Sequence, residues 1–384
     1  FVLAELAEIY NKLGDKQQAE NKALQVLKLN PTNEFAVHLI SEFMILKNKP
    51  EVAIDQFKKI LDERPENFGI LAKLITFMGK AGFFKDIKAY LDQISKKIPN
   101  ADEPGLCYCR GLYSKMARNV QEALGEFVKA KRGNQYFEPA VLQMIDIYMN
   151  PEQELLITQM GENKYKNIDN ENLKAMDFLA KELKARSHNP EKILIAECYV
   201  LMYSKKADTA CDRLKEPLKQ NDENPALLLA MAVAKFINGK SNDGKACLKQ
   251  FKRLQYNLEY AEQLEMGWMM LADFLINEND LGQAEEVLRG VLKYNASCGK
   301  AEEYLGLIEE KKQQFRSAAD CYKRAWLISM ERSASIGYRL AFTYLKAGRF
   351  VDAINISKKI LETFPDFQKI QRDILDKARD ALKG

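Results

Sequence analysis

Histidine is scarce in this chain. Only His38 and His188 occur in 384 residues. A catalytic triad or an imidazole-bound metal centre would have to draw on that pair. His38 falls within a regular repeat and His188 in a linker beside Asn189-Pro190, and neither has a fixed companion. No glycine-rich loop precedes a Lys-Ser/Thr pair, so no phosphate cradle is visible. No Gly-x-Ser-x-Gly elbow occurs either. Long apolar runs are lacking: the longest, Ala226–Ala234, is too short to span a bilayer. Neither sign of charge dominates, since 58 Lys and Arg face 54 Asp and Glu, a net charge of +4. That balance supplies no strong field for nucleic acid or an anionic membrane. Catalysis is not expected, and no catalytic, cofactor-binding or metal residue is assigned.

A disulfide framework is missing as well. The seven cysteines, Cys107, Cys109, Cys198, Cys211, Cys247, Cys298 and Cys321, are odd in number and scattered over predicted helices. Buried, reduced thiols of an intracellular protein are the expectation. Cys107-x-Cys109 has no second pair at ligand spacing, which favours core thiols over a metal or redox pair.

What the chain does have is repetition. Glu34–Asn67 shows the unit most cleanly. Val37, Ile40 and Met44 fall at helical spacing, and so do Ala53, Phe57 and Ile60. The joint Lys47–Pro50 separates the halves, and Pro65 closes the unit. Each half carries one apolar stripe, and a lone hairpin cannot bury two. The unit therefore needs copies on both sides. Pro31, Pro65 and Pro99 stand 34 positions apart, and Ala19, Ala53 and Ile87 keep the same step.

A helix–turn–helix with that period resembles the tetratricopeptide repeat. Leu3, Ala7, Tyr10, Ala19, Ala23, Val26 and Pro31 follow its pattern. The expected fold is all-α: a right-handed superhelical solenoid of about ten such repeats with a carboxyl-terminal capping helix. Residues 1–136 read as four regular repeats and 137–188 as a divergent repeat with an insertion near 151–170. Residues 189–365 read as repeats six to ten and 366–384 as the capping helix. Pro217 should kink or shorten its helix, and Ala246 is matched with Ala210. Leu288 and Leu305 are expected in the core, Trp268 and Trp326 likewise. Ala272 and Gly306 are expected where helices meet closely.

The cap's expected stripe is Ile370, Ile374, Ala378 and Leu382, which makes the carboxyl end look natural. The amino end looks cut. It lacks Met, and Phe1, Val2, Leu3, Leu6 and Ile9 leave a helix apolar on more than one face. Further repeats are expected upstream.

Most charge clusters read as solvated surface. Glu302-Glu303, Glu309-Glu310, Lys311-Lys312 and Lys358-Lys359 belong here. No recurring polar code of the pentatricopeptide kind is present. A chaperone-type carboxylate clamp is not expected, because the first helices offer mixed residues such as His38, Glu42, Ala72 and Thr76. Candidate partner-binding residues are Tyr338, Phe342 and Lys346, one turn apart on the first helix of repeat ten.

The carboxyl-terminal third carries a narrower resemblance. Gly337-Tyr338-Arg339-Leu340-Ala341-Phe342, Tyr344-Leu345-Lys346 and Ile374-Leu375-Asp376-Lys377-Ala378-Arg379 resemble the end of the tetratricopeptide repeat protein 21 family. The last of these lies beyond the repeats, so generic repeat positions do not account for it. The resemblance implies a non-enzymatic scaffold of intraflagellar transport complex A. It implies a role in retrograde ciliary transport and in entry of cargo into the cilium. Implied partners are other complex A subunits, WD-repeat and tetratricopeptide proteins, in a large hetero-oligomer. No nucleic acid, cofactor or direct membrane insertion is implied. The implied location is the cilium or flagellum, the basal body and the cytoplasm. The alternative is a tetratricopeptide scaffold of another complex, such as a cell-cycle ligase or a chaperone-linked regulator.

Overall fold

The computed structural model describes residues 2–30, 33–47, 49–150, 168–257 and 260–383. Among them every regular element is helical. The chain forms two compact units, one ending at Gly267 and one running on from Trp268.

The first unit is a succession of hairpins. They pair α1 (Val2–Lys12) with α2 (Lys16–Leu29), α3 (Glu34–Leu46) with α4 (Pro50–Glu63), and α5 (Phe68–Ala81) with α6 (Phe84–Lys97). Next come α7 (Pro104–Met116) with α8 (Val120–Ala130) and α9 (Asn134–Met149) with α10 (Asn170–Arg186). Then follow α11 (Pro190–Tyr203) with α12 (Ala207–Gln220) and α13 (Pro225–Ile237) with α14 (Ser241–Gln250). A 3-10 turn at Phe251–Arg253 leads toward the first turns of α15 (Ala261–Asn277). Each second helix packs on the next hairpin's first helix, and α5, α7 and α9 touch in series. This is nearest-neighbour stacking, the arrangement a solenoid requires.

The second unit holds the rest of α15, α16 (Leu281–Tyr294), the hairpin α17 (Gly299–Lys311) and α18 (Phe315–Ile328), and the hairpin α19 (Ala334–Lys346) and α20 (Phe350–Thr363). A π-helical turn at Gln371–Leu375 runs into α21 (Asp376–Ala381), and both pack on α20.

Local chemistry explains the helix starts. Asn67, Asn189, Asn224 and Asp280 accept backbone N–H bonds from their first turns. Each satisfies donors that the helix itself leaves orphaned. Pro50, Pro104, Pro190 and Pro225 occupy the first turn, where a missing N–H costs nothing.

Packing follows the small-against-large rule. A Cβ on Gly111 of α7 would meet the Phe127 ring of α8 at 2.6 Å. A Cβ on Gly306 of α17 would meet Tyr322 of α18 at 2.8 Å. Leu288, Leu305, Ala272, Trp268 and Trp326 are all buried, as their spacing suggests.

Several expectations need correction. Ala246 is exposed; Gly244 takes the buried slot, its Cα tucked beneath Phe236. Helix α12 continues through Pro217 to Gln220, so the proline does not shorten it. Pro217 stands near the carboxyl end, where one lost bond is cheap. Ile370, Ile374 and Ala378 are fully buried, but Leu382 is 53% exposed because regular helix ends at Ala381. Glu302 is no solvated carboxylate: it is buried, and Arg324 grips it with two bonds of 2.7 and 2.9 Å. Phe1, Pro31 and most of the expected insertion, 151–167, lie outside the described residues.

Candidate functional site

Tyr338, Phe342 and Lys346 do share one side of α19, and the terminal helix of the same unit engages the first of them. Tyr338 donates from its hydroxyl to Asp373 Oδ2 at 3.1 Å. Its ring stands edge-on to Phe367, with centroids 5.9 Å apart, and Lys369 Nζ lies 5.4 Å from the ring centre. Burial, then the neighbouring Asp373 carboxylate, pushes the phenol above its ordinary pKa. Phe342 is half-buried, with Lys346 Nζ 5.6 Å from its ring centre, and Lys346 is exposed. A cation over an aromatic face is a common anchor for a partner chain.

A second constellation lies in the first unit, and no repeat-level pattern announces it. Lys80 on α5 meets Glu265 of α15 at 2.6 Å. Lys115 on α7 meets Asp146 on α9 at 2.6 Å and Glu262 of α15 at 3.9 Å. Gln143 of α9 accepts a further bond from Lys115. Both lysines are largely withdrawn from water, with side chains 11% and 13% exposed. Burial alone pulls an ammonium pKa down, but Glu265, Tyr256 and Glu262 together outweigh it for Lys80, and Asp146 and Glu262 do so for Lys115. Both therefore sit above the ordinary lysine value. Lys115 in turn holds Glu262 below the carboxylate range. The first-helix residues singled out from sequence, such as Ala72 and Thr76, passed over Lys80 and Lys115. Only a fold shows that two lysines 35 positions apart, one on each of two hairpins, converge.

His188 is exposed in the linker before α11, and the His38 side chain lies outside the described set. Cys107 and Cys109 are both buried. Cys109 Sγ points to the Phe68 carbonyl at 3.5 Å, while burial and then Glu126 push Cys107 up to about 11. The two thiols thus face different neighbours. Among the described residues no group of three or more His, Cys, Asp or Glu side chains is placed to hold a metal ion. No described helix is long and apolar enough to cross a membrane.

Family comparison adds what geometry alone does not. The model described as the tetratricopeptide repeat protein 21 C-terminal ARM domain matches residues 174–379. The model of the fifth ARM repeats domain of the same proteins matches 34–149, and a tetratricopeptide repeat model matches 2–33. The chain belongs to the tetratricopeptide repeat protein 21 family. It is 31% identical over 396 residues to tetratricopeptide repeat protein 21B of Xenopus laevis, covering 100% of this chain and 30% of that one. It is 31% identical over 397 residues to tetratricopeptide repeat protein 21A of Homo sapiens, again with 100% and 30% covered. The chain thus spans about 30% of the length of these relatives. Among solved structures, yeast Tom70 aligns with a TM-score of 0.44 at 13% identity, over 100% of this chain and 95% of that one. A likeness that loose says nothing about function.

Proposed function

We propose that this part of the family works as a non-enzymatic scaffold of intraflagellar transport complex A, serving retrograde ciliary transport and entry of cargo into the cilium. The observation that carries the reading is family membership along the whole chain. The architecture suits the role. Stacked hairpins offer a long surface, and weak contacts spread along it add by avidity. Its partners are other complex A subunits, WD-repeat and tetratricopeptide proteins. It acts at the cilium, the basal body and the adjoining cytoplasm. Phe342 and Lys346, with Tyr338 beside them, form the contact on α19.

The test uses the full-length protein, tagged, in ciliated cells. Localisation to the cilium or basal body, with complex A subunits as stoichiometric companions, is expected. Replacing Phe342 by Ala and Lys346 by Glu is expected to lower recovery of one companion while the others remain. Unchanged recovery would remove this face from the interface. Companions drawn from a cell-cycle ligase or a chaperone, with no ciliary pool, would sink the transport reading.

A further inference from the structure

Two lysines of the second unit lie over aromatic rings on one side of α19. Lys346 Nζ is 5.6 Å from the centre of the Phe342 ring. Lys369 Nζ, from the segment after α20, is 5.4 Å from the centre of the Tyr338 ring. Tyr338 and Phe342 stand one helical turn apart, so their rings are neighbours along one stripe. Both lysines are exposed and both rings are half-buried. Neither ammonium forms an ion pair among the described residues. Asp373, one turn beyond Lys369, spends its Oδ2 on the Tyr338 hydroxyl.

The surroundings do not supply the missing charge. Residues 334–384 carry ten Lys and Arg against six Asp and Glu, an excess equal to the whole chain's net charge of +4. Lys80 and Lys115 of the first unit differ in this respect, since each already holds a carboxylate of the chain. An exposed ion pair is usually weak, because two long side chains must first be held in one geometry. Here cation–π attraction already holds both lysines over their rings. An arriving carboxylate meets each ammonium in place and displaces no group of the chain itself. The rings beneath offer apolar surface for the same ligand to cover.

We propose that this face, Tyr338, Phe342 and Lys346 of α19 together with Lys369, receives an acidic segment of a partner protein in which an apolar side chain is flanked by carboxylates. The carboxylates pair with Lys346 and Lys369, and the apolar side chain covers the rings. The inference rests on the scaffold reading for the partner being a protein, and it deepens that reading by naming the chemistry this face accepts.

The test reads binding by this chain alone, so its failure leaves the transport reading standing, and failure of the transport reading leaves this result standing. The probe is a fluorescein-labelled, amidated peptide, Gly-Asp-Glu-Phe-Asp-Glu-Leu-Asp-Glu. It is titrated with the 384-residue chain at low salt and followed by anisotropy. Saturable binding is expected. Lys346→Gln with Lys369→Gln is expected to weaken it by about five-fold or more, as two exposed ion pairs are lost. Lys323→Gln with Lys358→Gln removes as much charge from α18 and α20, where neither lysine lies over a ring, and is expected to bind as wild type does. A peptide with Asn and Gln in place of its acids is expected not to bind over the same range. All four lysines are exposed, so both variants should melt as wild type does. Absence of saturable binding, equal loss in the two double variants, or binding that survives Lys346→Gln with Lys369→Gln overturns the proposal. Tighter binding of a poly-uridine strand than of the peptide overturns it too, by assigning the face to nucleic acid.

Discussion

Lys80 and Glu265, 185 positions apart in the chain, are joined by a 2.6 Å ion pair whose side chains are only 11% and 14% exposed. Removing one member takes away the other's closest partner in a place that water reaches poorly. Lys80→Met or Glu265→Met alone is expected to cost about 1–3 kcal/mol, read from the exchange of α5 amides. The double variant is expected to cost clearly less than the sum, because neither charge is then left behind. Strict additivity would mean that the two side chains do not interact.

Gly306 of α17 and Tyr322 of α18 meet with no room for a Cβ between them. Gly306→Ala places a methyl 2.8 Å from two atoms of that ring, whose side chain is fully buried. The expected loss is about 1–3 kcal/mol, since a packed core absorbs added volume badly. Leu288→Ala is the converse case: it empties a fully buried site and is expected to cost about 2–5 kcal/mol. Denaturant titration followed by helical circular dichroism checks both. An unchanged midpoint for either would place the residue outside the core.

Much of this was readable before any fold was in hand. The step of 34 between Pro31, Pro65 and Pro99 predicts the hairpins, and the burial of Ala19, Ala53 and Ile87 follows from it. Gly111 and Gly306 announce close approaches because only small residues fit opposite Phe127 and Tyr322. The periodic signal weakens where two residues of similar size compete for one slot, as with Gly244 and Ala246. It is silent about contacts that skip hairpins. Nothing near Lys80 in the sequence mentions Glu265, and nothing in Glu302-Glu303 says that only Glu302 is buried against Arg324. Charge patterns report on a face; they do not say what lies opposite it.

Tyr338 couples α19 to the terminal helix through its hydroxyl, an edge-on ring contact and the Lys369 ammonium over its ring. Tyr338→Phe keeps the ring and loses the bond to Asp373, which is expected to cost about 0.5–1.5 kcal/mol. Tyr338→Ala also loses the edge-on contact with Phe367. The terminal helix should then open more often, and trypsin should cut at Lys377 and Arg379 sooner than in wild type. Identical digestion of the wild type and the alanine variant would mean that Tyr338 does not hold this helix.

Thiol chemistry separates buried from accessible sites. None of the seven cysteines is in a disulfide. Burial pushes Cys107 up to about 11 and Cys198 up to about 12, and the thiolate is the reacting form. At pH 8 iodoacetamide is therefore expected to label the half-exposed Cys247 and Cys298 first. Cys107, Cys109 and Cys198 should label only when the chain unfolds. Peptide mapping after brief exposure gives the order, and early modification of Cys107 would contradict its burial.

Acid should loosen the stretch 260–267, at the start of α15, before it unfolds the hairpins. Lys115, and more weakly Lys80, hold the Glu262 carboxyl below its ordinary value of about 4.3, with Gln143 donating to it. The folded state thus prefers Glu262 ionised. Its contribution is fully present above the ordinary value and is lost as pH falls through the lower, folded one. The Glu262 side chain is 56% exposed, so water screens part of the attraction and the effect stays local. Amide exchange in 260–267, corrected for intrinsic rates, is expected to accelerate below about pH 4 relative to pH 6. Amides of α13, which is buried almost throughout by apolar side chains, are expected to keep their protection over the same range. Glu262→Gln should remove most of the pH response of the stretch and leave it loosened at pH 6 as well. A stretch that titrates identically in that variant would assign the acid response to another carboxylate.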